Sequence, residues 1–146
     1  MNLDVLELRA HLTRHIHVLV FDFDIVEYMC NIYKTFCRSA EHGQLDTIKY
    51  LISIGVDVQS WDNYAIRYAA DRGHLDTVKY LVSMGADVHS CNNDAFIWAA
   101  YFGQLDTVKY LVSIGACDKF TIRWAIKNGH RDTVAYLKSL NKCVLM

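Results

Sequence analysis

A ten-residue phrase recurs along this chain with almost no change. It reads Leu45-Asp-Thr-Ile-Lys-Tyr-Leu-Ile-Ser-Ile54, then Leu75-Asp-Thr-Val-Lys-Tyr-Leu-Val-Ser-Met84, then Leu105-Asp-Thr-Val-Lys-Tyr-Leu-Val-Ser-Ile114. A worn copy follows at Arg131-Asp-Thr-Val-Ala-Tyr-Leu-Lys-Ser-Leu140. Asp46, Asp76, Asp106 and Asp132 mark spacings of 30, 30 and 26 residues. A fixed period in this range is the signature of a solenoid, whose units bury their apolar faces only against their neighbours. Solenoids mostly bind other macromolecules, so the pattern suggests a kind of work and leaves the partner open.

Composition narrows the class. The 146 residues are 53% apolar and 21% charged, the balance of one folded domain and not of a disordered chain. The net charge of −1 comes from interleaved acids and bases, which argues against a nucleic-acid binder. No apolar run reaches the length of a membrane-spanning helix. Asp4, Glu7, Arg9 and three histidines stand where a secretory signal needs an apolar core. The five cysteines form an odd set without CxxC pairs and read as reduced thiols of an intracellular, cytoplasmic protein. Proline is absent.

One unit, residues 63 to 92, shows the physics. Asn63 is positioned to cap a short helix whose Ile66, Ala69 and Ala70 fall at i, i+3 and i+4. Gly73 supplies a left-handed stop that reverses the chain. Leu75, Val78, Leu81 and Val82 then share an arc of roughly 120° on a second helix. Gly85 ends that helix, and a polar connector leads to the next unit.

The stretch Ala69-Ala-Asp-Arg-Gly73-His-Leu-Asp-Thr-Val-Lys-Tyr-Leu-Val-Ser-Met-Gly85-Ala-Asp-Val88 resembles the ankyrin repeat, whose pattern runs Ala-Ala, Gly-His-Leu, Val-x-x-Leu and Gly-Ala-Asp. The likeness covers residues 34–142 in about four units, 34–62, 63–92, 93–118 and 119–142. It implies an all-α ankyrin-repeat solenoid of stacked antiparallel helix pairs. Two departures matter. The family's usual Thr-Pro-Leu-His is replaced by Tyr64-Ala-Ile-Arg67, Asp94-Ala-Phe-Ile97 and Phe120-Thr-Ile-Arg123, so the usual Thr and His bonds between repeats cannot form as such. The connectors are also short, predicting blunt tips. In its period and its lack of proline the array is similar to those common in giant DNA viruses.

At the C-terminal end Arg131 and Lys138 replace the phrase's Leu105 and Val112, as befits a cap that no further repeat covers. Residues 1–33 read as a degenerate N-terminal cap or partial repeat, in which Phe23 to Ile32 echoes the second-helix phrase at Asp24, Val26 and Tyr28. Residues 143–146 form a tail. Its Cys143-Val-Leu-Met146 has the form of a prenylation acceptor, against which stand the lack of a polybasic patch and the repeat position that Cys143 shares with Cys117.

The resemblance implies that partners lie against the connectors and first helices, especially the two residues after each Ala-Ala. These are Glu41 and His42, Asp71 and Arg72, Tyr101 and Phe102, and Lys127 and Asn128. The second helices are near-copies while these pairs change charge and size at every step, as a common core with an individual recognition face requires. Trp61 beside Tyr101 and Phe102 offers aromatic anchors. Trp98 reads as core packing. His11, His15 and His17 read as surface residues, since Cys30 and Cys37 could complete a zinc site only by tertiary accident and the glutamate of a His-Glu-x-x-His helix is missing. No nucleophile, acid–base pair or phosphate-cradling loop converges, so no enzyme and no cofactor are expected.

The expectation is a monomeric, non-catalytic scaffold for protein–protein interaction through its concave face. The alternatives are a prenyl-anchored membrane adaptor using Cys143, and a decayed array without a dedicated partner.

Overall fold

The structure is a computed structural model that describes residues 23–140. Among these residues there are eight helices and no strands: α1 Phe23–Glu41, α2 Leu45–Ser53, α3 Ser60–Asp71, α4 Leu75–Ser83, α5 Ser90–Tyr101, α6 Leu105–Ser113, α7 Thr121–Lys127 and α8 Arg131–Ser139. They pair as α1/α2, α3/α4, α5/α6 and α7/α8, and successive pairs stack. First helices α1, α3, α5 and α7 form one row in close mutual contact; second helices form a sparser outer row. The expected all-α solenoid of helix pairs is what forms.

The small residues explain the tight inner row. Ala65, Ala69, Ala70, Ala95, Ala99, Ala100 and Ala125 are buried, so first helices approach over methyl groups, with Ile66 and Phe96 filling the space between. From the outer row Ile48, Val78, Leu81, Val108 and Leu111 close the same core. Leu75 and Val82 are only half-buried, while Thr77, Thr107, Thr121 and Thr133 join the buried set, which the apolar pattern did not anticipate.

The reversal between helices works as expected. Gly73 has φ +73°; its own N–H donates to Ala70 O (3.2 Å), and the His74 N–H reaches Ala69 O (2.9 Å). This pair of bonds satisfies carbonyls that the helix end leaves open. The residue after the glycine also joins the repeats. His74 Nε2 donates to Glu41 O (2.9 Å), Gln104 Nε2 to Asp71 O (2.9 Å) and His130 Nε2 to Tyr101 O (2.8 Å). These bonds, from one position of each unit to the unit before, stand in for the Thr and His bonds that the sequence lacks.

The connectors hold a feature that the sequence did not announce. Trp61, Asp62 and Asn63 all lie at φ between 53° and 61°, and Cys91, Asn92 and Asn93 between 50° and 65°. Three consecutive left-handed residues without a glycine are costly. Bonds across the repeat offset that cost: Asn63 Oδ1 accepts the Asp87 N–H (2.8 Å), Asp62 O accepts the Ser90 hydroxyl (3.1 Å), and Asn93 Nδ2 donates to Cys117 O (3.3 Å). Asn63 therefore does not cap its helix; it ties its unit to the next. The unit boundaries drawn before Asn63 and Asn93 fall inside these turns. The third connector is four residues shorter, as the spacing of 26 instead of 30 shows, and has no such turn; there Asp118 Oδ2 accepts the Phe120 N–H (3.0 Å) and the Thr121 hydroxyl (2.9 Å).

The boundary drawn after residue 33 is not a break in the course of the chain: α1 runs through it without reversing, and Val26, at the position where Ile48 is fully buried, is 50% exposed. No glycine or proline interrupts Ile32-Tyr-Lys-Thr-Phe36, so nothing stops the helix there. The thiols are not all reduced either. Cys30, Cys37 and Cys91 are free, while Cys117 is disulfide-bonded. Burial pushes the Cys37 thiol above its ordinary range, only partly opposed by Arg67.

Candidate functional site

The variable pairs all sit where a first helix ends, because the reversing glycine follows each of them, and stacking sets them side by side. Arg72 Nη2 donates to Glu41 Oε1 (2.7 Å), joining the first two pairs across repeats. Asp71 is the more enclosed of the two acids, its side chain 16% exposed against 28% for Glu41. Its Oδ1 is buried without a hydrogen bond, and Arg72 Nε stands 3.6 Å away, a charge contact only. Burial raises the Asp71 carboxyl above the usual range; Arg72 opposes this, Glu41 adds to it, and Arg67 and His74 oppose it. His42, Lys127 and Asn128 are exposed, with Asn128 Nδ2 donating back to Trp124 O (2.8 Å).

Tyr101 and Phe102 form the centre of an aromatic cluster. Their ring centroids are 5.0 Å apart, edge to face; Trp98 lies 5.4 Å from Tyr101 and stacks on Phe102 at 6.0 Å; Trp124 of the next unit is 6.0 Å from Tyr101. Trp98, Phe102 and Trp124 are 37%, 46% and 40% exposed. Trp98 is thus a surface ring and not core packing, because the buried side of α5 is taken by Ala95, Phe96, Ala99 and Ala100. Trp61 does not join this cluster. Its left-handed turn sends it to Tyr33 of α1 (centroids 6.2 Å), and it stays 45% exposed.

Sequence reasoning missed the middle of the same face. Arg67 packs its guanidinium 3.8 Å over the Tyr64 ring and pairs with Asp94 Oδ2 of the next unit at 3.1 Å. It also missed Lys119, Phe120, Arg123 and Trp124. The signal was present: Tyr68, Trp98 and Trp124 repeat at the array's own spacing, three residues before the first residue of each variable pair.

Among the described residues no group of three His, Cys, Asp or Glu is placed to hold a metal ion, and no helix is long and apolar enough to cross a membrane. His11, His15, His17 and Cys143 lie outside the described residues.

The architecture defines a class: a stack of helix pairs with a constant outer row and a varied inner edge. A family profile described as ankyrin repeats, in three copies, matches residues 36–122, more than half of the chain. The chain belongs to the ankyrin-repeat family. Repeats of this family are in general protein–protein interaction modules and typically not enzymes. No curated protein matches the chain.

Proposed function

We propose that this protein binds a protein partner along its first-helix face, the concave side of such a stack, with Tyr101, Phe102 and Trp98 as the anchors. The observation that carries this reading is the four-ring cluster left at the surface by helices whose other side is fully packed. Large, rigid aromatic side chains lose little rotamer freedom on binding and dominate interface energies. Asp71, Arg72, Lys127 and Asn128 stand in the units on either side of the anchors, Glu41, His42 and Trp61 extend the face toward α1, and together they tune which partner fits. Binding in this reading is preorganised: the stack holds the anchors in place before the partner arrives.

The test is affinity capture from the source cells with wild type, with Tyr101→Ala/Phe102→Ala and with the outer-row variant Lys79→Ala, followed by mass spectrometry. The double variant should lose the partner, each ring contributing about 2 kcal/mol or more, with far-UV circular dichroism unchanged. Lys79→Ala should retain it. Equal capture by the double variant removes the proposal.

A further inference from the structure

We propose that the C-terminal half of this face recognises an extended peptide segment in which Asp or Glu residues flank an apolar side chain. This rests on the interaction reading above and specifies the chemistry of the ligand.

The face is unevenly charged. Lys34 and Arg38 of α1 are exposed, and among the described residues they form no ion pair and lie over no ring. In the middle of the face the cations are already committed: Arg72 to Glu41 at 2.7 Å and Arg67 to Asp94 at 3.1 Å. Around α7 they are not. Lys119, Arg123 and Lys127 are exposed, and none of them forms an ion pair among the described residues. Each lies over an aromatic ring instead: Lys119 5.2 Å and Arg123 5.4 Å from the Phe120 centroid, Lys127 5.5 Å from that of Trp124. A cation resting on a ring keeps N–H groups turned to water, free to donate to a carboxylate. Asp118, which adjoins Lys119 in the chain, already accepts the Phe120 N–H and the Thr121 hydroxyl.

The rings continue the pattern. Phe102, Trp98, Tyr101 and Trp124 form an unbroken series of ring contacts that ends beneath Lys127. A ligand with an apolar side chain on the rings therefore sets its neighbouring residues over Lys127 and Arg123. Acidic residues complete those cations; basic ones are repelled.

Rings with cations are also what a single-stranded nucleic acid takes. Here the charge favours a peptide. A strand carries a phosphate at every nucleotide, and continued along the face it meets Asp94, Asp71 and Glu41, beside cations that are already paired. A peptide can limit its acids to the α7 end.

The test is selection from a random twelve-residue peptide display library on the wild-type protein and on the charge-swapped Arg123→Glu/Lys127→Glu. Wild type should enrich sequences with Asp or Glu beside Phe, Leu or Trp, and the swapped variant should enrich Lys or Arg in their place. A peptide selected on wild type should bind Lys119→Gln/Arg123→Gln/Lys127→Gln about tenfold more weakly, the combined effect of a few exposed ion pairs, and should weaken with added salt. A single-stranded twenty-nucleotide DNA should bind more weakly than that peptide. Neutral or basic enriched sequences, the same sequences on both proteins, no enrichment, or tighter DNA binding would each overturn the proposal. If the peptides carry no charge preference yet still need Tyr101 and Phe102, the ligand assignment fails while the aromatic anchor reading stands.

Discussion

The outer and inner helices of this stack have diverged by very different amounts. α2, α4 and α6 are nearly the same nine residues, whereas the ends of α1, α3, α5 and α7 share little beyond their alanines. Burial accounts for part of this, since Ile48, Val78 and Val108 occupy one buried position and Leu51, Leu81 and Leu111 another. It does not account for the exposed Lys of each phrase, nor for the Tyr beside it, which is exposed at Tyr50 and half-buried at Tyr80 and Tyr110. Those residues touch the neighbouring repeat: Lys49 lies 5.7 Å from the Tyr80 centroid, Lys79 5.8 Å from Tyr110 and Lys109 5.9 Å from Tyr136. An outer-row residue thus answers to two repeats at once, while the side chain after an inner helix's alanines answers mainly to what lies in front of it. Constancy in this chain marks a contact between units that is repeated unchanged, whereas the varied pairs make a different contact at each step, an ion pair between Arg72 and Glu41 and a ring contact between Tyr101 and Trp124.

The hardest blow to the constant row is Leu81→Ala. Leu81 is fully buried between helices, so its removal leaves a cavity costing about 2–5 kcal/mol. Because neighbouring units depend on one another, urea unfolding should show the loss across the array and not at one repeat alone. An unchanged midpoint would mean that the outer row is not a shared core.

Gly73→Ala strikes the junction between the rows. At φ +73° an alanine carries the left-handed cost of about 1 kcal/mol, and its Cβ would collide with the Gln104 side chain. Gln104 would have to give up its bond to Asp71 O, so the total should reach about 2 kcal/mol. The same change at Gly85, where nothing lies near an added Cβ, should cost only the backbone part. Equal losses at the two glycines, measured by thermal melting, would show that the bond between repeats contributes nothing.

These junctions also mark how far the sequence could be read. Helix pairing, the glycine reversals and the buried Val and Leu positions follow from spacing alone, because each is a local preference repeated in register. The left-handed turns at Trp61–Asn63 and Cys91–Asn93 do not, since non-glycine residues adopt that conformation only when bonds from another repeat hold them there. The course of α1 was hidden for the opposite reason: an echo of the phrase at Asp24, Val26 and Tyr28 outweighed the plain absence of a helix stop. At the candidate site the variable pairs were legible by comparing units, but the partnerships of Trp61 with Tyr33 and of Trp98 with Phe102 depend on which way a turn or helix faces. Arg67 with Asp94 escaped because it joins residues 27 apart in two units.

The smallest expected effect has the opposite sign and tests the inner edge. Asp71 belongs to the variable face, yet its carboxyl is enclosed enough that burial outweighs the help of Arg72, Arg67 and His74 and raises its proton affinity. A carboxyl held higher in the folded chain than in the unfolded one favours folding while protonated. Stability is therefore lost as pH rises through the carboxylate range, and the loss persists at neutral pH. Asp71→Asn keeps the shape and the backbone bond from Gln104 while removing the charge, so it should raise the urea midpoint at pH 7 and change nothing once the wild-type carboxyl is protonated. Such a gain would mean that a residue of the recognition edge is kept against the interest of stability, which is where function and folding part company in many proteins. A variant less stable at pH 7 would instead place Asp71 among the contacts that hold the units together, through Arg72 and Arg67, and would move it from the varied edge to the constant framework.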